Sequence, residues 1–235
     1  MVTQDLRLHD DHVRLVHRDI PDTPSTSGAP VFSETDYDEH LNDFLKDRPQ
    51  GEEGVLVFCY GSLIWKPVFE PAFVEKANAL GWQRSFCLKL IRFRGTPEQP
   101  GLMMQIDRGG TCEGVVQAIA EDRVWTDLSA LWRREMTAKP PGNYPRWIEV
   151  EMASKVRRAI AFTANPESRN YAGGLSTETV AEILSVACGH WGSGAAYLLE
   201  TTRALDRHGI RDPYLWDLQE RVAALIEART DMGRP

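Results

Sequence analysis

From residue 55 onward the chain sets its strand-like segments mostly ahead of its helical ones, and this order constrains the fold more than any other feature. Val55-Leu56-Val57-Phe58-Cys59-Tyr60-Gly61-Ser62 has the pattern of a buried strand running into a glycine turn, bounded by Pro67. Phe86 to Phe93 is a second apolar stretch, and Leu102 to Ile106 and Glu113 to Ile119 flank Gly109-Gly110 in the manner of a hairpin. Tyr144 to Met152 and Arg157 to Ala164 read as a further strand pair. Helical periodicity covers Glu121 to Met136, then Ser176 to Cys188, Ser193 to His208 and Asp212 to Ala228. Strands first and helices later predict an α+β domain, a curled sheet or small barrel with helices packed outside it, and not a doubly wound nucleotide fold.

The first fifty residues carry a different signal. They are polar and broken by Pro21, Pro24, Pro30 and Pro49, with Ser25-Thr26-Ser27-Gly28 among them. This predicts a partly flexible extension over 1–50 ahead of one domain over 51–230. His9, His12 and His17 alternate with acids but lack the fixed spacing that a metal site needs, so no metal is expected. Cys59, Cys87, Cys112 and Cys188 show no CxxC spacing, which leaves reduced thiols as the simpler reading than zinc or disulfides. A net charge of −7 argues against a nucleic-acid partner. The basic clusters Arg84 to Arg94 and Arg157-Arg158 suit either a solvated face or a small anionic ligand. Apolar runs fall far short of the roughly 20 residues of a membrane span, and the amino terminus lacks a signal-peptide core, so a cytoplasmic location is expected.

Two places have the makings of chemistry. On the helix over Glu121 to Met136, Val124, Leu128, Leu131 and Trp132 recur at i, i+4, i+7 and i+8, and Glu135 comes within roughly 20° of Val124 around the axis. A carboxylate therefore ends the apolar stripe. Arg133 and Arg134 project about 180° and 80° away, so neither is assumed to neutralise it. Such a group finds a partner, takes up a proton, or marks a site; equally, the helix end frays and Glu135 meets water. The second place is Tyr60-Gly61-Ser62-Leu63, where glycine permits a sharp turn that exposes successive N–H groups to a carboxylate or oxyanion. Ser62 does not stand in GxSxG and Cys59 lies in a strand, so neither is the favoured nucleophile.

Taken together, Val57-Phe58-Cys59-Tyr60-Gly61-Ser62-Leu63-Ile64-Trp65-Lys66-Pro67 resembles the opening signature of the ChaC-type γ-glutamylcyclotransferase family. Later blocks follow in the family's order: Arg94-Gly95-Thr96-Pro97-Glu98, Cys112-Glu113-Gly114-Val115, Arg134-Glu135-Met136, Ala161-Phe162-Thr163-Ala164-Asn165-Pro166, Tyr171-Ala172-Gly173, and Gly192-Ser193-Gly194 before Tyr197. The resemblance implies a γ-glutamylcyclotransferase-like curled sheet or small barrel with flanking helices. It also implies a cofactor-free lyase that converts glutathione to 5-oxoproline and Cys-Gly. Glu135 takes the place of the family's catalytic glutamate, and Tyr60, Gly61, Ser62, Leu63 and Ile64 that of its substrate loop. Arg94, Tyr144 and Tyr171 are further candidates for holding carboxylates or shaping the pocket. Where the family usually has glycine before this loop, the chain has Cys59. Two alternatives stay open: a cyclotransferase for other γ-glutamyl amines or amino acids, and a non-catalytic γ-glutamyl-binding module.

Overall fold

A computed structural model describes residues 6–22, 30–137, 139–153 and 155–232. Pro24 and the Ser25–Gly28 run, read above as part of the extension, lie outside them. The chain divides into two compact units: Ser27–Ser85 with Gln105–Tyr171, and Met1–Thr26 with Phe86–Met104 and Ala172–Pro235.

The first unit is a barrel. Its strands are β1 (Val55–Cys59), β2 (Val74–Leu90), β3 (Gly101–Ile119), β4 (Asn143–Met152) and β5 (Lys155–Ala164), with the last residues of β2 and the first of β3 belonging to the other unit. They close in the order β1-β3-β2-β4-β5, with Val57 of β1 meeting Ile160 of β5 in parallel. The β4–β5 pair predicted from the sequence is present and antiparallel, in register from Asn143↔Ala164 to Met152↔Lys155. Leu56, Phe58, Trp82, Ile106, Val116, Ile148 and Val150 form the core, with Tyr60 packed against it. Because side chains alternate along a strand, Val57 and Cys59 point to the opposite face of β1, and they are buried there too.

The hairpin expected at Gly109-Gly110 is corrected: β3 runs through both glycines without reversing. Both have positive φ, 124° and 55°, which a glycine pair tolerates in a bulge as readily as in a turn. The neighbours show that the strand bends instead. β3 is antiparallel to β1 from Val115 to Ile119 yet parallel to β5 at Ile106, although β1 and β5 are themselves parallel. Only a strand that swings sharply between those points satisfies all three pairings. Further along β3, Gly114 is required by close packing: a Cβ there would sit 2.7 Å from Cys59 O and 2.8 Å from the Phe58 ring.

Helices α2 (Glu34–Leu45), α3 (Ser62–Trp65) and α4 (Val124–Glu135) complete this unit. Ser33 caps α2 in a reciprocal pair with Asp36. From α2, Phe44 stacks on Trp147 of β4 at 5.3 Å and meets the edge of Trp132 of α4 at 5.1 Å, while Trp132 reaches Phe162 of β5 at 5.2 Å. These rings seat both helices on the β4–β5 face of the barrel.

The second unit is mainly helical: α1 (Asp10–Val16), α5 (Thr177–Leu184), α6 (Gly194–Arg207) and α7 (Pro213–Met232), with a two-residue ribbon of β6 (Cys188–Gly189) and β7 (Gly192–Ser193). The last three helices fall where their periodicity placed them. The polar first fifty residues supply α1 and α2, with Leu8 and Leu41 each only 1% exposed. Leu8 N–H donates to Gln219 Oε1 at 2.8 Å, and Arg203 grips Asp10 through both guanidinium nitrogens at 3.0 and 2.8 Å. Of the three early histidines, His12 sits with Nε2 3.0 Å from Glu227 Oε1.

Candidate active site

Helix α4 buries the stripe its spacing predicted, with Val124, Leu128, Leu131 and Trp132 inside. Its last residue is Glu135. Met136 leaves the helical region at φ −111°, ψ 67°, and its side chain is itself buried, which turns the chain inward just past the carboxylate. The Glu135 side chain stays 20% exposed, at the margin of the core. Burial pushes its carboxyl pKa up, and the Arg134 guanidinium opposes this without cancelling it.

That ion pair corrects the helical-wheel reading. Arg134 Nε lies 3.2 Å from Glu135 Oε1, although consecutive helical residues do not normally face one another. The wheel gives the direction of Cβ only. A long arginine stem in the final turn meets no following turn and can fold back beside its neighbour. Arg133 does point elsewhere, donating to Glu34 Oε2 at 3.0 Å beside the Tyr37 ring.

Arg134 also reaches the Tyr60–Ile64 loop. Its Nη2 donates to Ser62 Oγ at 2.9 Å, and its Nη1 to Lys66 O. The loop is fixed through its carbonyls: Tyr60 O by Arg84 Nε at 2.9 Å, Gly61 O by Ile64 N at 3.0 Å, Ser62 O by Lys66 N at 2.8 Å, and Leu63 O by Gln117 Nε2 at 3.2 Å. A planar trans peptide directs the next N–H opposite to each carbonyl. The amides of Gly61, Ser62 and Leu63 therefore face away from these partners, and the first amides of a helical turn have no intrahelical acceptor. Ile64 differs, since its amide is spent on Gly61 O.

Tyr60 and Tyr144 meet the end of β5, and Tyr171 meets β3 beside it. Tyr60 OH donates to Phe162 O at 2.7 Å. Tyr144 is paired across the strands with Thr163, whose hydroxyl donates to Tyr144 O at 3.3 Å and accepts from Arg146 Nε at 3.1 Å. Ile106 pairs with the same Thr163, and the adjacent Asp107 accepts from Tyr171 OH. Arg94 belongs to the helical unit, where Nη1 donates to Ser193 O at 3.0 Å, the guanidinium lies 5.3 Å from the Tyr197 ring centre, and burial pushes its pKa down.

Sequence reasoning gave no individual role at the site to Arg84, Gln117 or Arg134. Arg84 stood in a basic cluster read as a solvated face or an anion site, yet it is 5% exposed and holds Tyr60 O and Glu113 O. Its position between apolar Trp82 and Phe86, alternating along β2, was the available signal.

The raised pKa of Glu135 bears on stability. Its neutral form favours the folded state fully below the ordinary value near 4.5, and that contribution is lost as pH rises through the higher folded value. Glu135→Gln is therefore expected to melt above the wild type at pH 8, with the gap closing toward pH 4 in scanning calorimetry. A pH-independent gap would contradict a buried, ionising carboxylate.

The barrel with helices seated on it is the fold of γ-glutamyl cyclotransferases: a crystal structure of the glutathione-specific enzyme from yeast superposes with a TM-score of 0.64, at 21% identity over 73% of this chain and 96% of that one. The chain belongs to the ChaC-like protein family, whose pattern matches residues 55–225. It is 34% identical over 186 residues to the glutathione-specific γ-glutamylcyclotransferase of Escherichia coli, covering 77% of this chain and 78% of that protein. To the human glutathione-specific γ-glutamylcyclotransferase 1 it is 27% identical over 216 residues, covering 88% and 89%.

Proposed function

We propose that the protein is a glutathione-specific γ-glutamylcyclotransferase with Glu135 as its general acid/base and residues 51–230 as its catalytic domain. The observation that carries this reading is a partly buried carboxylate of raised pKa fastened through Arg134 to a loop whose amides face away from their own carbonyl ties. Glu135 takes a proton from the α-ammonium of the γ-glutamyl residue. The freed amine attacks the γ-carbonyl, forming the ring C–N bond; the bond to the cysteine nitrogen breaks as Glu135 returns the proton to that leaving amine, and the second proton shed by the ring nitrogen ends on the same amine, which departs as the Cys-Gly ammonium. Atoms and electrons balance with no oxidant and no water consumed. The turn amides near Gly61 and Ser62 receive an anionic oxygen of the substrate. Because nucleophile and electrophile share one molecule, holding the folded-back conformer supplies much of the rate, with effective molarities of about 10⁵ M or more for oriented intramolecular reactions.

Tyr60, Tyr144 and Tyr171 shape the glutamyl pocket around the end of β5, and Leu63 and Ile64 contribute apolar surface. Arg94 enters this reading through its place in the family's Arg-Gly-Thr-Pro-Glu block. Four buried cysteines without disulfides suit a reducing, cytoplasmic compartment, and among the described residues no helix is long and apolar enough to cross a membrane.

Product analysis over glutathione, γ-Glu-Ala and ε-(γ-glutamyl)lysine tests the substrate. The expected result is 5-oxoproline from glutathione, at a kcat/KM at least about tenfold above the others; preference for either other substrate would move the assignment to a broader cyclotransferase.

A further inference from the structure

We infer that Arg134 is a positioning residue, a strut that fixes the Glu135 carboxylate against the Ser62–Lys66 turn and so sets the distance between acid/base and substrate loop. This rests on the role proposed for Glu135. One guanidinium reaches three acceptors on two elements remote in sequence: Glu135 Oε1 through Nε, Ser62 Oγ through Nη2 and Lys66 O through Nη1. Ser62 opens α3 and Lys66 closes it, so both ends of the turn are tied to the arginine that holds the carboxylate. A four-residue helix has no stability of its own and takes its place from such ties.

The planar fork is what this arrangement needs. Guanidinium donors diverge in one rigid plane, whereas a lysine ammonium is a compact point charge that cannot serve three separated acceptors on the same stem. The strut also has an electrostatic consequence, because Arg134 opposes the upward push of burial on Glu135. Facing Glu135 besides Arg134 is Cys59 of β1, whose thiol is pushed up first by burial and then by the Glu135 charge. Cys59 is therefore neutral over the working pH range and leaves the charge balance of the carboxylate to Arg134.

The test compares wild type, Arg134→Met, Arg134→Lys and Glu135→Gln, measuring kcat and KM for glutathione from pH 5 to 9 together with melting temperature. For Arg134→Met, kcat is expected to fall about tenfold or more, the scale of a small misplacement of a reacting group, and the acid limb of kcat/KM to move to higher pH. Arg134→Lys keeps the charge without the fork, so its acid limb stays near that of the wild type while kcat still falls. An acid limb unchanged in Arg134→Met, or activity tracking only the folded fraction, would make the residue structural and overturn the inference. Should Arg134→Met fail to fold, wild-type kcat in Arg134→Lys would overturn it as well. Wild-type turnover in Glu135→Gln would instead remove the proposed catalyst, whereas an inactive Glu135→Gln beside a normal Arg134→Met would sink the strut alone.

Discussion

Glu135→Gln is expected to lower turnover of glutathione by about 10² or more while leaving the fold and substrate affinity in place, the usual scale for a lost general acid/base. The amide is nearly isosteric with the acid, so it opens no cavity beside Met136 and still offers Arg134 Nε an oxygen. What it lacks is a transferable proton at a pKa suited to the task. The loss should therefore appear in kcat and kcat/KM together, with KM little changed, which is the signature of an interaction made only in the transition state. Near-normal kcat in this variant would remove Glu135 from the chemistry whatever its burial.

Trp132→Ala is expected to destabilise the protein by about 3–5 kcal/mol, the range for truncating a buried aromatic. Trp132 is fully buried, sits between Phe44 and Phe162, and donates from Nε1 to His40 Nδ1 at 3.0 Å. Burial holds the His40 pKa down, so the imidazole is a neutral acceptor near pH 7. Truncation removes packing at the junction of α2, α4 and β5 and strips a part-buried acceptor of its donor. Since Trp132 lies one turn before Glu135 on the same face, activity should suffer beyond the unfolded fraction. Denaturant unfolding checks this directly, and a loss below about 1 kcal/mol would mean that α4 is seated by other contacts.

The candidate site of this chain was most legible where a period could be counted. Four apolar residues at helical spacing fixed which face of α4 is buried, and the same rotation placed Glu135 at its end; the structure keeps both. Arg134 was illegible by that method, because a helical wheel resolves where a side chain starts and not where a six-atom stem arrives. The Gly109-Gly110 pair was ambiguous for a related reason. Two positive-φ glycines fit a turn or a bulge, and only the partners β1 and β5, remote in sequence, choose between them. The beginning of β2, from Val74 to Ser85, escaped notice because half-buried Glu75 and exposed Lys76 and Gln83 break the apolar run. In the first fifty residues, α2 announced itself only through its Ser33–Asp36 cap and buries little beyond Leu41, too faint a stripe to stand out from a polar segment.

The most direct measurement is to incubate the purified protein with glutathione carrying ¹⁵N in its α-amino group, in H₂¹⁸O, and to follow the products by mass spectrometry. Attack of the α-amine on its own γ-carbonyl predicts 5-oxoproline that retains ¹⁵N and contains no ¹⁸O, released with unlabelled Cys-Gly. Glutamate carrying ¹⁸O in place of 5-oxoproline would mean that water is the nucleophile, and the cyclotransferase mechanism proposed for Glu135 would be wrong.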